Sequence, residues 1–170
     1  MQNINNKLRM QYKELITIDR TTGLGNIKGF YMDLDRAISR VKRHNINVSL
    51  MIIKISYFQQ LNSLLGESKM VELLKGISKC VMDSTRNEDI RYKLSNDTLA
   101  ILLEDTDIKG SEVVKERIKE KIKELSLQQK EKSKNVNIEV KIGVYQYNKD
   151  IENSFQFKEL AERELEYDVD

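Results

Sequence analysis

The stretch from Arg86 to Leu99 constrains this chain more than any other. RNEDIRYKLSNDTL reads as a charged turn, a short alternating strand, a polar bend and the start of a second strand. Tyr92 and Leu94 alternate with Arg91 and Lys93, a period of two that belongs to strands. Ser95-Asn96-Asp97 supplies turn chemistry, and Leu99-Ala100-Ile101-Leu102-Leu103 runs on as a buried strand. A hairpin with a polar tip, set among helices and apolar strands, is a natural place for a nucleotide to bind. Two positions compete: the tip itself, and the charged turn just before the hairpin.

The elements around it follow from periodicity. Ile4, Leu8, Tyr12 and Leu15 give residues 1–17 an amphipathic helical stripe. Asp19 to Asn26 is a turn with two glycines, leading into a helix from Ile27 to Arg43 whose inner stripe is Phe30, Leu34, Ala37, Ile38 and Val41. Val48 to Ile55 is a near-continuous apolar run and predicts a central strand. A long helix is expected from Phe58 to Met82, with Leu61, Leu64, Leu65, Val71, Leu74, Ile77 and Val81 inward and Gly66 as a breaking point. After the hairpin come a charged helix from Ser111 to Gln128, a Lys-rich loop from Gln129 to Asn135, a strand from Val136 to Tyr147 and a terminal helix from Phe157 to Tyr167. This order predicts an α/β sandwich, a mainly antiparallel central sheet flanked by helices.

Composition narrows the function classes. A chain of 170 residues suits one domain with a sizeable core. Charged residues make up 33%, yet the net charge is +2, too balanced to argue for a nucleic-acid partner. A single cysteine, Cys80, excludes an internal disulfide and is expected as a small core residue. With one histidine, His44, expected in a solvated turn, no zinc site can be assembled from His and Cys. No apolar run reaches bilayer length, and the N-terminus lacks a signal peptide's apolar stretch.

The order of elements and several local signatures resemble the GGDEF domain, the fold of diguanylate cyclases. Asp19, Thr22-Gly23-Leu24, Asn26 and Phe30 resemble the family's opening motif, D-x-L-T-G-L-x-N-R-x-x-F. Ile55, Phe58, Leu61, Asn62 and Gly66 stand in its strand-to-helix motif, and Ser95-Asn96-Asp97-Thr98-Leu99 falls where the signature pentapeptide belongs. Ile142-Gly143-Val144 is similar to the family's late strand, and Ala161 and Leu165 fit its terminal helix. The resemblance covers most of residues 17–167 and implies a nucleotidyl-cyclase palm-like sandwich. It divides the chain into an N-terminal signalling or linker helix, 1–17, and a GGDEF domain, 18–170.

The departures carry the expectation about chemistry. In the family's active cyclases, acidic side chains on the first strand and in the pentapeptide hold Mg²⁺ against GTP phosphates. Here those positions are Lys54 and Thr98, and the next acidic position of the strand motif is Ser56. The pentapeptide glycines are Ser95 and Asn96; only Asp97 remains acidic. Gln59 replaces a phosphate-contacting lysine, Val169 stands at a late lysine, and the guanine-reading pair keeps Asn62 but has Ser63 for aspartate. The expectation drawn is a degenerate former active site, no catalytic residues, no metal and no enzymatic activity. A Lys54–Asp97 ion pair is expected to substitute an internal cation for the metal.

One family feature is intact. Arg86-Asn87-Glu88-Asp89 sits in the register of the R-x-x-D motif that binds cyclic di-GMP, and Arg117 aligns with an arginine that joins that site. The chemistry suits guanine: a guanidinium donates two bonds to O6 and N7, and a carboxylate accepts from N1 and N2. The resemblance therefore implies a cyclic di-GMP receptor with no cofactor, using Arg86, Asp89 and Arg117, with the ligand held as a stacked dimer. Its partner would be a protein, such as a membrane-associated secretion or synthase complex in exopolysaccharide, biofilm or motility control. A homodimer would form through the ligand or the N-terminal helix. The implied location is the cytoplasm, free or as the cytoplasmic domain of a membrane-anchored protein. The alternatives are an interaction or dimerisation module that binds no ligand, and a weak GTP-binding regulator.

Overall fold

Val48–Ile55 forms β1, the strand on which the fold is built, and every residue of it except Lys54 is buried. The structure is a computed structural model that describes residues 2–132 and 136–169. The hairpin strands are β2 (Ile90–Lys93) and β3 (Thr98–Glu104), and the last strand is β4 (Val140–Gln146). They assemble in the order β2-β3-β1-β4, with every neighbouring pair antiparallel. The expected α/β sandwich with an antiparallel central sheet is therefore the observed architecture.

Alternation along the strands feeds two cores. On one face Met51, Ile53, Leu99, Ile101, Ile142 and Val144 meet Leu73, Ile77 and Val81 of α4 (Glu67–Ser84) and Ile118 and Ile122 of α5 (Ile108–Lys132). On the other face Leu50, Ile52, Tyr92, Ala100 and Leu102 meet Phe30, Leu34, Ala37 and Ile38 of α2 (Ile27–His44) and Phe157 and Ala161 of α6 (Ser154–Arg163). A sheet buried on both faces needs β1 apolar throughout, which is why its sequence is a run and not an alternation.

The opening turn is structural. Asp19 Oδ2 accepts from the Thr22 N–H at 2.9 Å and the Thr22 hydroxyl at 2.6 Å, and Asn26 caps α2 by accepting from the Gly29 N–H at 3.0 Å. The Gly25 N–H then bonds the Arg91 carbonyl at 3.0 Å, and the Gly25 carbonyl accepts from Lys93 N–H at 2.8 Å. The turn before α2 is thus stitched to the edge of the hairpin.

Several boundaries differ from expectation. The expected helix from Phe58 is two helices, α3 (Phe58–Leu65) and α4, parted at Gly66, whose φ of 81° and ψ of 165° no helix contains. The Gly66 N–H closes α3 on the Asn62 carbonyl, and its own carbonyl accepts the first bond of α4 from Met70. Leu64 is consequently exposed. Helix α5 begins three residues earlier than expected, where Asp107 caps it through the Gly110 N–H, and absorbs Gln129 to Lys132 of the expected loop. Residues 133–135 of that loop lie outside the described residues. Val136 and Ile138 are buried but precede β4, and Ser126 Oγ rather than a strand accepts the Ile138 N–H. The terminal helix is α6, capped by Asn153, continued by a 3₁₀ turn at Glu164–Tyr167. Helix α1 spans Gln2–Thr17 with Ile4, Leu8 and Tyr12 exposed; the side chain of Leu15 is outside the described ones. Cys80 sits half-buried at the rim of the core, and His44 is an exposed last residue of α2 rather than part of a turn.

Candidate functional site

Two clefts hold the three expected ligand contacts and part of the former active site singled out in the sequence. The first opens where α4 runs into β2. Helix α4 ends at Ser84 with Thr85 as C-cap, and Arg86 to Asp89 forms the turn. The Asp89 Oδ2 accepts from the Arg86 N–H at 2.9 Å, and the Asp89 N–H bonds the Arg86 carbonyl at 3.1 Å. Arg91 braces the turn by donating to Thr85 Oγ1 and to the Arg86 carbonyl. The carboxylate of Asp89 is buried, and its Oδ1 accepts no hydrogen bond; the nearest cation, Arg86 Nη2, is 3.6 Å away. A buried acceptor left without a donor costs about 1–3 kcal/mol, more when charged.

Arg86 is held from the other side by the turn after β3. Its Nη2 donates to the Glu104 carbonyl at 2.6 Å and to Thr106 Oγ1 at 2.8 Å. Thr106 Oγ1 itself donates to the Glu104 carbonyl, and Ser49 Oγ on β1 donates to the Thr106 carbonyl. One edge of the guanidinium is therefore anchored, while Nη1 has Glu88 at 3.5 Å, an exposed pair. Arg117, on α5, reaches across to the Ser84 carbonyl at 3.3 Å. Arg86, Asp89 and Arg117 thus line one cleft of about 330 Å³, together with Asn47, Asp105 and Asp107.

The convergence of Arg86, Asp89 and Arg117 that the resemblance implied is present in one cleft. Sequence reasoning missed Glu104, Asp105 and Thr106, which approach only because β3 lies between β1 and β2. The one local signal was Asp107, a capping residue ahead of an amphipathic stretch.

The second cleft, about 340 Å³, lies at the end of β1 and is lined by Lys54, Ser56, Gln59, Asp97 and Lys141 among others. Asn62 and Ser63 are exposed on α3, and Ser95 and Asn96 are exposed at the hairpin tip. Lys54 faces Thr98 on β3 and Lys141 on β4 in the strand register. The backbone brings Lys54 and Asp97 together, with the Ile55 N–H donating to the Asp97 carbonyl at 2.8 Å. The expected Lys54–Asp97 ion pair is nonetheless absent among the described residues. Asp97 Oδ1 accepts from the hydroxyls of Ser95 at 3.0 Å and Thr98 at 2.9 Å, so local side chains capture it first. Two lysines, hydroxyls and one carboxylate so engaged do not fit a magnesium ion, which takes oxygen ligands at short, near-octahedral distances.

The family model described as "Diguanylate cyclase, GGDEF domain" matches residues 16–167. Among curated relatives, the "Uncharacterized membrane protein YdaK" of Bacillus subtilis is 26% identical over 159 residues, covering 94% of this chain and 55% of the relative. "Diguanylate cyclase DgcS" of Shewanella oneidensis is 28% identical over 98 residues, 56% of this chain and 33% of the relative. The chain thus spans about half the length of the first and a third of the second. Among solved structures, the coiled coil and GGDEF domain of DgcB from Caulobacter crescentus, in complex with c-di-GMP, matches with a TM-score of 0.85 at 19% identity, over 97% of this chain and 86% of that one. At that identity the likeness shows the fold.

These matches overturn the expectation that the chain is not an enzyme: the family model and a curated relative both carry the name diguanylate cyclase. The inference from Lys54, Ser56 and Thr98 counted only side chains at the family's motif positions. A handful of motif positions weighed more in that expectation than the likeness of the whole domain, which the family match carries over residues 16–167. No helix among the described residues is long and apolar enough to cross a membrane.

Proposed function

The chain belongs to the GGDEF family, and on that premise we propose that it is a cyclic di-GMP receptor whose ligand sits in the cleft of Arg86, Asp89 and Arg117. The observation that carries this reading is Asp89 Oδ1, a buried carboxylate oxygen without a donor on the wall of a cleft that also holds two guanidinium groups. Such an oxygen is costly unless something completes it, and the N1–H and N2–H of guanine are suitable donors.

The arginines fit the same ligand. Arg86 is anchored through Nη2, so its remaining donors are pre-oriented and little rotamer entropy is lost on binding. Arg117 approaches from a separate helix and completes the cleft across from the turn. The complex with c-di-GMP of the DgcB domain, which shares the fold, supports a nucleotide ligand here. Ligand occupancy would tie α4, the hairpin and α5 together and change the surface offered to a protein partner. The outputs this reading carries are exopolysaccharide, biofilm or motility control.

Isothermal titration with cyclic di-GMP at fixed salt tests the reading. Arg86→Ala removes a charged hydrogen-bond partner and is expected to cost about 1.5–3 kcal/mol, roughly 10- to 150-fold in affinity. Arg117→Ala is expected to cost less, because its guanidinium is anchored by one long bond. No saturable binding by the wild-type chain, or an unchanged affinity in Arg86→Ala, refutes the reading in favour of a module that binds no such ligand.

A further inference from the structure

The cleft contains more carboxylates than the three residues above require. Its charged lining is Arg86, Arg117, Asp89, Asp105 and Asp107, two cations and three anions. A phosphate-bearing ligand gains little net attraction from such a set, so discrimination has to come from groups that read base edges. Asp107 is already used, accepting from the Gly110 N–H at 2.8 Å as the cap of α5. Asp89 is held at one oxygen by the Arg86 N–H. Asp105 differs from both. It is exposed, lines the cleft, and has no hydrogen bond or ion pair with any described residue.

Its position is fixed by its neighbours. The Arg86 guanidinium bonds the Glu104 carbonyl and the Thr106 hydroxyl, the residues on either side of Asp105. Thr106 closes the turn on the Glu104 carbonyl, and Ser49 holds Thr106 from β1. The turn places Asp105 at φ 46°, the left-handed region, where an aspartate is tolerated but not favoured. The result is an unpaired carboxylate on a braced turn beside the anchored Arg86, in the cleft that also holds the donorless Asp89 Oδ1.

We infer that Asp105 is a specificity-determining contact of this cleft, accepting from the N1–H and N2–H of a guanine base. The inference rests on the cleft's assignment to cyclic di-GMP. Guanine offers two donors on that edge, whereas adenine offers an acceptor at N1, which a carboxylate repels. The two carboxylates take different bases of the dinucleotide: Asp89, in the wall of the turn, takes one guanine, and the exposed Asp105 takes the other and disfavours adenine there.

The test is titration of cyclic di-GMP and cyclic di-AMP into the wild-type chain, Asp105→Asn and Asp105→Gly, with melting curves for each. Asparagine and glycine both accept the left-handed backbone, so all three proteins are expected to melt within a few degrees of one another. Asp105→Asn is expected to lose about tenfold in cyclic di-GMP affinity. Its preference over cyclic di-AMP is expected to narrow further, since an amide no longer repels adenine N1. Asp105→Gly is expected to lose affinity for the guanine ligand while binding cyclic di-AMP no worse than wild type. Wild-type binding that is unchanged, with unchanged base preference, in both variants overturns the role of Asp105 and leaves the cleft's assignment standing. Absence of wild-type binding overturns both. If the variants weaken both nucleotides equally, Asp105 shapes the cleft without reading a base, and the specificity role is refuted.

Discussion

Replacing Asp168 should loosen the open edge of the sheet. Burial pushes the Asp168 carboxyl up, but the bonds donated by Lys119, the Ile142 N–H and Lys115 outweigh it and hold the group below its ordinary value. Lys119 Nζ lies 2.6 Å from Oδ1 and Lys115 Nζ 2.9 Å from it, while the Ile142 N–H of edge strand β4 donates to Oδ2 at 2.6 Å. One carboxylate thus covers an edge N–H and ties β4 to α5, with its side chain 3% exposed. In Asp168→Ala the Ile142 N–H loses its acceptor, worth about 1–3 kcal/mol, and the mostly buried Lys115 and Lys119 ammoniums each lose one of their partners, worth about 0.5–1 kcal/mol each. A total of about 3 kcal/mol lowers the melting temperature of a domain this size by roughly 6–12 °C. The pH dependence has a definite sign. A depressed folded-state pKa contributes stability that is fully present above the unfolded value, about 3.9, and is lost as pH falls through the lower folded value. Urea titrations of wild type and Asp168→Asn from pH 7 downward should therefore show a stability gap that is constant until about pH 4 and then closes. An Ala variant melting within about 2 °C of wild type, or an Asn gap that does not close in acid, would refute the argument.

Other substitutions probe the scaffold that positions the cleft. A Cβ on Gly143 would lie 2.3 Å from the Ala161 carbonyl oxygen and 2.9 Å from the Leu165 nitrogen, both backbone. Gly143→Ala should therefore lower the free energy of urea unfolding by about 3 kcal/mol or more, as α6 and the 3₁₀ turn are forced off β4. Gly66→Ala meets no neighbour, but φ 81° with ψ 165° is glycine territory, so about 1–3 kcal/mol should be lost with little change in far-ultraviolet dichroism. Tyr92 donates to Asp33 Oδ2 at 2.7 Å, and Tyr92→Phe should cost about 1 kcal/mol in urea unfolding. Burial, reinforced by that bond to Asp33, pushes the Tyr92 phenol far up, so its contribution is complete below the ordinary tyrosine pKa and lost at higher pH. In alkaline absorbance titration this phenol should ionise only with unfolding, and an early, reversible titration of all seven tyrosines would contradict it.

Much of this architecture was legible in the chain because it depends on local repetition. The run Val48–Ile55 declared a doubly covered strand, the alternation about Tyr92 declared a hairpin strand, and the stripes of Phe30, Leu34, Ala37 and Ile38 declared the covering helix. The turn Arg86–Asp89 was legible for the same reason: its two bonds run between residues three apart. Boundaries set by tertiary partners were not. Gly66 marked a weak point, but the sharp break came from a backbone conformation that lets α3 and α4 each pack on its own. The Lys54–Asp97 pairing failed because adjacency in register does not decide between a distant ammonium and two hydroxyls already next to the carboxylate. What the sequence by itself determined was the set of elements and the identity of the charged turn, since period, apolar runs and capping residues act over a few positions. What only the tertiary structure decided was the company those residues keep. Arg86 is anchored by Glu104 and Thr106, Arg117 by Ser84, and Asp168 joins β4 to α5, contacts spanning 18 to 33 positions and more along the chain. Such contacts exist because antiparallel pairing of β1 with β3 and β4 brings remote turns to one end of the sheet, and no local pattern records which turns will meet there.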